Sequence, residues 1–297
     1  MSKIDTLAAV SLAGGYDRFP AGLRVAVGAI LICCSLSPAR CAAVKQEDRD
    51  LDTVRTRLIE SLLPAAPSQL ASTERAARAD ADSLQADGSW KDIDYADKSP
   101  ANWKAAAHLS RLGAMARAYR APGSALHGQA ELKRKALSAL DYWLQNDPAN
   151  PNWWWNQIGA PQSLGQILLL LAPDLKAEEI RSGVTILHRS DMERVNGKIA
   201  ARWTGANLVW MAGNEIMRGL LENDRATVAG ALDAIYGEIR ITPPGAEGIQ
   251  PDFSFHQHGA LLYSAGYGAA FTEDCADYAY LTRGTGFSMP PDRLRIL

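Results

Sequence analysis

Cysteine is scarce in this sequence and poorly placed for cross-linking. Four are present, and Cys33, Cys34 and Cys41 all fall within or just after an apolar opening segment. With that segment removed only Cys275 is left, so neither an intramolecular disulfide nor a cysteine-based zinc site can form. Stability must then come from core packing. Charge of one sign is also missing. The 31 basic and 33 acidic residues leave a net charge of −2, so no global basic field advertises nucleic acid. Attraction for an acidic polymer would have to come from a local groove. Strand signals are nearly absent, and no repeat of the tetratricopeptide or ankyrin sort is visible, which argues against a regular solenoid.

One apolar run is present, at residues 23–36, with Arg24 near its start. It falls short of the roughly 20 residues of a spanning helix. Small residues follow at Ala39 and Cys41-Ala42-Ala43, before the polar Lys45-Gln46-Glu47-Asp48. That order matches a secretory signal cleaved near Ala43. Residues 1–43 are therefore expected to be a leader and residues 44–297 the mature domain. The product would be secreted or periplasmic, with no membrane attachment after cleavage. Pro38-Ala39-Arg40 ahead of Cys41 is a poor context for lipid attachment, and an uncleaved anchor is the rival reading.

Beyond the leader the pattern is helical. Leu51, Val54, Leu58 and Leu62 recur at three- and four-residue spacing and stop at Pro64. Further helices are expected over residues 68–84, 103–119, 130–144, 161–171, 177–188, from about 203 towards 221, 224–239 and 272–281. Pro/Gly turns such as Pro122-Gly123 and Pro243-Pro244-Gly245 separate them. Helices of ten to eighteen residues joined by short turns predict an all-α array of helical hairpins, either a bundle or a toroid. Residues 289–297 read as the opening turn of another helix, so the chain reads as a fragment of something longer.

Two stretches carry chemistry. Residues 248–268 bring His256, His258, Tyr263, Tyr267 and Asp252 together with glycines at 248, 259, 266 and 268. Histidine titrates near neutral pH, and tyrosine offers a phenol with an ordinary pKa of about 10. The second stretch is Trp153-Trp154-Trp155. Plain explanations exist for each. Successive tryptophans spread over about 200° of a helix and can plug a core. An asparagine one turn into a helix, such as Asn207, is usually a cap or a surface amide. His256 and Tyr263 read most simply as packing residues, and Asp87, Asp92 and Asp94 as loop caps. His256, His258 and Asp252 also permit a metal site, which lacks obvious further ligands.

Several segments in order resemble polysaccharide lyase family 8, the hyaluronate, chondroitin AC and xanthan lyases. They are Asp87-Gly88-Ser89-Trp90 with Asp92-Ile93-Asp94-Tyr95, Asn152-Trp153-Trp154 with Ile158-Gly159-Ala160-Pro161, and Thr204-Gly205-Ala206-Asn207. Gly248-Ile249-Gln250-Pro251-Asp252, Ser254-Phe255-His256-Gln257-His258-Gly259 and Tyr267-Gly268 follow. The resemblance implies an incomplete α/α toroid without the family's C-terminal β domains. It implies Asn207, His258 and Tyr267 as catalytic residues, and Trp153, Trp154 and Gln257 as sugar contacts. It implies no cofactor or metal, no nucleic-acid partner, and a monomer acting on an acidic polysaccharide. The chemistry suits these types. Removing the C5 proton of a uronate builds charge on an adjacent carboxylate, which the Asn207 amide and His258 would stabilise. Tyr267 would take that proton and return one to the leaving oxygen at C4. The family's active-site arginines lie beyond the tyrosine, and Arg283, Arg293 and Arg295 come too soon to match them. His258 and Tyr267 are nine residues apart, about 180° on an unbroken helix; sharing one cleft requires a late or interrupted helix. Two other classes stay open: a glycoside hydrolase using Asp252 with Asp94 or Glu215, and a non-catalytic glycan binder that keeps the aromatic patch.

Overall fold

A computed structural model describes residues 38–192, 194–195, 198–199 and 203–297. Most of the expected leader lies outside the described residues. Contacts divide the chain into two units, Met1–Arg49 and Asp50–Leu297. Of the first unit, the structure describes the opening of a helix that starts at Pro38, ahead of the expected cleavage point. No helix among the described residues is long and apolar enough to cross a membrane.

Ten α-helices are described: α1 Pro38–Leu62, α2 Pro67–Ser83, α3 Ala106–Arg120, α4 Ala130–Asn146, α5 Ala160–Leu171, α6 Ala177–Leu187, α7 Gly205–Glu222, α8 Arg225–Glu238, α9 Ala269–Thr282 and α10 Pro291–Leu294. Their ends follow local chemistry. Pro67 opens α2, where the Gln69 side chain accepts the backbone N–H groups of Ala65 and Ala66, both at 3.1 Å. Asn223 (φ 55°) closes α7 in the left-handed conformation, and Asp224 at once caps α8 by accepting from Ala226 and Thr227. That two-residue link folds α7 and α8 into a hairpin.

The helices form two layers. α3, α5, α7 and α9 pack side by side in that order, and α2, α4, α6 and α8 pack against them from outside. Burial explains the division. α5 buries Leu164, Ile167, Leu168, Leu169, Leu170 and Leu171 and leaves only Gln162, Ser163 and Gln166 partly open, so it must be covered on most sides. α2 buries only Ala77 and Ala81 and can serve as an outer helix. Each such leucine contributes about 1.5–3 kcal/mol relative to exposure. The result is an arc of α/α-toroid hairpins. Strand is confined, among the described residues, to two short antiparallel pairs, β1 Arg194–Val195 with β2 Lys198–Ile199 and β3 Gly248–Ile249 with β4 Phe255–His256.

Two starts differ from expectation. α3 begins at Ala106 rather than 103, because Trp103 is drawn into the core and donates Nε1–H to Asp97 O at 3.1 Å. α9 begins at Ala269 rather than 272. Cys275 is unpaired and buried, and burial pushes its thiol pKa up.

Candidate active site

The first turn of α7 makes one side of the site. Gly205 opens it at φ 57°, in contact with the side chain of Gln257: a Cβ there would lie 2.1 Å from Gln257 Oε1. Only glycine satisfies both conditions. Gln257 Oε1 in turn accepts the backbone N–H of Ala206 at 3.1 Å. Asn207 follows. It is 5% exposed, and its Oδ1 is sealed from solvent without a hydrogen-bond partner. A buried amide oxygen left unpaired is uncommon and costs about 1–3 kcal/mol. One turn further along the same face, Trp210 donates Nε1–H to Asp274 at 2.9 Å.

The segment after β3 makes the other side. Its turn is tied by Gln250 N–H to Ser254 O at 2.8 Å, with Asp252 accepting from the Ser254 backbone and hydroxyl. The chain then folds back again, with Gln257 N–H donating to Leu261 O at 3.1 Å and Tyr263 N–H to Phe255 O at 2.8 Å. His258 sits on this second loop, exposed, at φ 59°. Ala265 is extended and Gly266 takes φ 75°, ψ −101°, so α9 starts only after Tyr267. This late start removes the 180° separation that an unbroken helix would impose.

His258 and Tyr267 therefore meet. Their ring centroids are 4.9 Å apart, edge to face. Tyr263 stands beside both, 5.1 Å from Tyr267 and 6.0 Å from His258. The face of Trp210 lies 5.6 Å from Tyr267, which joins α7 to the histidine–tyrosine cluster. Burial, and then the neighbouring Tyr263, push the Tyr267 phenol above its ordinary pKa. The group is a hydroxyl at neutral pH. It can donate a proton as it stands, whereas accepting one requires a positive charge brought beside it.

The three tryptophans diverge with the rotation of the helix, which widens into a π-turn at Trp155–Gly159. Trp153 lies 4.8 Å from Trp203. Trp154 meets Trp210 edge-on at 6.2 Å, and covers Gly159 so closely that a Cβ there would be 2.5 Å from its ring. Trp155 turns the other way, onto Trp103 at 5.6 Å, with Nε1–H donating to Pro100 O. An aromatic line thus runs from Trp154 through Trp210 to Tyr267 and His258.

Gln257 is placed differently from the expected sugar contact. It is 2% exposed, and both ends of its amide are engaged, Oε1 by Ala206 and Nε2 by Glu247 at 2.9 Å. It clasps the site from beneath. Trp210 and Glu247 were not among the expected site residues. Trp210 carried a usable signal, standing three residues after Asn207 on one helical face; Glu247 carried none. The carboxylates of a hydrolytic pair are committed elsewhere. Glu215 is buried against Arg218 (2.7 Å), Asp94 accepts from Ala96 N–H, and Asp252 caps its own turn, its pKa lowered by the Ser254 hydroxyl. Among the described residues no group of three or more His, Cys, Asp or Glu could hold a metal ion.

Comparison with known proteins adds the following. The family model described as "Polysaccharide lyase family 8, N terminal alpha-helical domain" matches residues 59–297. Chondroitinase-AC of Pedobacter heparinus is 29% identical over 273 residues, covering 92% of this chain and 37% of that protein. Xanthan lyase of a Bacillus species (strain GL1) is 30% identical over 258 residues, covering 81% of this chain and 27% of that protein. The chain thus spans roughly a third of the length of these relatives. Among solved structures, a chondroitinase AC lyase determined in complex with oligosaccharides superposes with a TM-score of 0.76 at 28% identity, over 83% of this chain and 35% of that one.

Proposed function

The chain belongs to polysaccharide lyase family 8, and we propose that its toroid face cleaves an acidic, uronate-containing polysaccharide of the hyaluronan, chondroitin or xanthan type by β-elimination. The observation that carries the reading is the meeting of His258 and Tyr267, rings 4.9 Å apart, beside the Trp210 face of the helix that also holds Asn207. Under this reading the uronate carboxylate lies against Asn207 and His258, whose hydrogen bonds strengthen as charge moves onto it. Losing one donor aimed at such charge costs about 2.7–4 kcal/mol of barrier. The C5–H electrons form the C4–C5 double bond as the C4–O bond breaks. Tyr267 takes the C5 proton in its deprotonated form and returns a proton to the departing oxygen. Such positioned acid–base groups contribute about 10²–10⁴ in rate. Trp153 and Trp154 would offer ring faces to the sugars.

Three polymers, hyaluronan, chondroitin and xanthan, are incubated with the purified chain, and ultraviolet absorbance of the unsaturated uronate is followed. Growth of absorbance is expected, and Tyr267→Phe should abolish it while polymer binding persists. Unchanged turnover in that variant removes the assignment of the base. Reducing ends without absorbance would instead mark hydrolysis. We propose further that residues 1–43 direct export; N-terminal sequencing of the secreted product, expected to start near residue 44, tests this.

A further inference from the structure

Glu247, immediately before β3, grips two segments through three residues. Its Oε1 accepts the backbone N–H of Gly259 at 2.6 Å, and its Oε2 accepts from Gln257 Nε2 at 2.9 Å and from the Thr204 hydroxyl. Gln257 and Gly259 are the residues on either side of His258. Thr204 is the residue from which α7 starts, three before Asn207. Two further features point the same way. Thr204 makes no side-chain capping bond with its own helix, although threonine is favoured at that position for such a bond; its hydroxyl is turned to Glu247 instead. His258 holds a left-handed φ of 59°, a conformation that a side chain bearing a Cβ keeps only when its neighbours enforce it. Those neighbours are the two that the carboxylate holds. Bonds to an ionised acceptor are roughly twice as strong as neutral ones, so a single carboxylate suffices for the grip.

We propose that Glu247 is a positioning residue for the elimination proposed above, on which this inference rests: it fixes the His258 imidazole relative to the Asn207 amide without touching the sugar. Misplacement by about 1 Å far from the bond being broken can cost about 100-fold in rate, so the carboxylate would act on turnover through geometry alone.

The test compares ring resonances of isotope-labelled histidines in the full chain, with His258→Ala providing the assignment. In Glu247→Ala the His258 ring signals should leave the shifted position set by the Tyr267 and Tyr263 rings and move to that of a free histidine, while those of the core residue His108 stay fixed. The rate of unsaturated-product formation at saturation should fall by about tenfold or more with KM within about threefold, and Glu247→Gln should be intermediate, since its amide nitrogen faces donors. Unmoved His258 signals in folded Glu247→Ala, or moved signals with an unchanged rate, overturn the proposal. If loss of the His108 signals shows that Glu247→Ala does not fold, Thr204→Val decides in the same way. A wild-type chain that makes no unsaturated product sinks the lyase reading, while the resonance comparison still decides whether Glu247 places His258.

Discussion

Two histidine–tyrosine clusters occupy this domain, and they are built to opposite ends. In the first, between α3 and α4, His108 is fully buried among Trp90, Tyr95, Tyr142 and Trp143, with ring centroids 4.8–5.8 Å away. Its Nε2–H donates to Ala139 O at 2.8 Å, which leaves Nδ1 to accept the Tyr95 hydroxyl at 2.9 Å. The Tyr95 oxygen accepts in turn from Trp90 N–H at 3.1 Å. Both imidazole nitrogens and the Tyr95 hydroxyl are used. Burial pushes His108 down to about 4 and Tyr95 up to about 12, so neither changes charge near neutral pH. In the second cluster His258 stands in the open at 4.9 Å from Tyr267, and its ring makes no hydrogen bond to the described residues. On α7, three residues before the Trp210 that meets Tyr267, Asn207 keeps an oxygen without a partner. Ring spacing is alike in the two places. What separates a pin from a site is whether the imidazole itself is committed.

The sharpest way to break the comparison is to remove each imidazole. Changing His258 to alanine should lower unsaturated-product formation by about 100- to 1000-fold and move folding stability by no more than about 0.5 kcal/mol. Removing His108 instead leaves a cavity and two orphaned partners, so unfolding in urea should come about 2–4 kcal/mol sooner, with turnover per folded molecule preserved. If both variants lost stability equally, the distinction drawn here between the clusters would collapse. The pH dependence sharpens it further. His108 has a folded pKa of about 4 against an ordinary 6.5, so below 6.5 the unfolded chain binds the extra proton. Its contribution is complete above about pH 6.5 and is lost as pH falls towards 4, by up to about 3 kcal/mol. Denaturation of wild type and His108→Phe at pH 7 and pH 4.5 should show this slope only in the wild type.

Much of the arrangement was legible beforehand, for identifiable reasons. Helix α5 is a long apolar run between Pro161 and Pro173, and Asp224 signals the start of α8, so periodicity and punctuation locate both. The late start of α9 was legible as a requirement, because His258 and Tyr267 could not otherwise share a cleft, with Gly266 the means. Gln257 was not legible. A glutamine between two histidines has the same appearance whether it faces sugar or, as here, braces α7 from below, and only the closeness of Gly205 decides it. Glu247 was hidden for a related reason: one carboxylate joins residues 204, 257 and 259, and no local spacing encodes a three-way contact. The divergence of the three tryptophans was legible, since successive residues spread over about 200° of a helix; which neighbour each meets was not, with Trp154 pressed onto Gly159 and Trp155 onto Trp103.

The smallest expected effect concerns the link between the aromatic line and α9. Asp274 accepts Trp210 Nε1–H at 2.9 Å, and burial pushes its pKa up to about 6 despite that bond, with Asp277 and Glu273 adding to the rise. The sign is opposite to that of His108. Between about pH 3.8 and 6 the folded chain holds the extra proton, so Asp274 lowers stability progressively as pH rises through that window, and the cost persists at pH 7. Asparagine keeps an oxygen for Trp210 and carries no charge. Asp274→Asn should therefore stabilise the fold by about 1–2 kcal/mol at pH 7, after allowance for the partial exposure of the group, and by almost nothing at pH 3.5. Urea midpoints of the two proteins at those pH values measure the difference. A gain of equal size at both would assign it to packing around Trp210, and the aromatic line would then owe its position to shape alone, unlike the hydrogen-bonded cluster around His108.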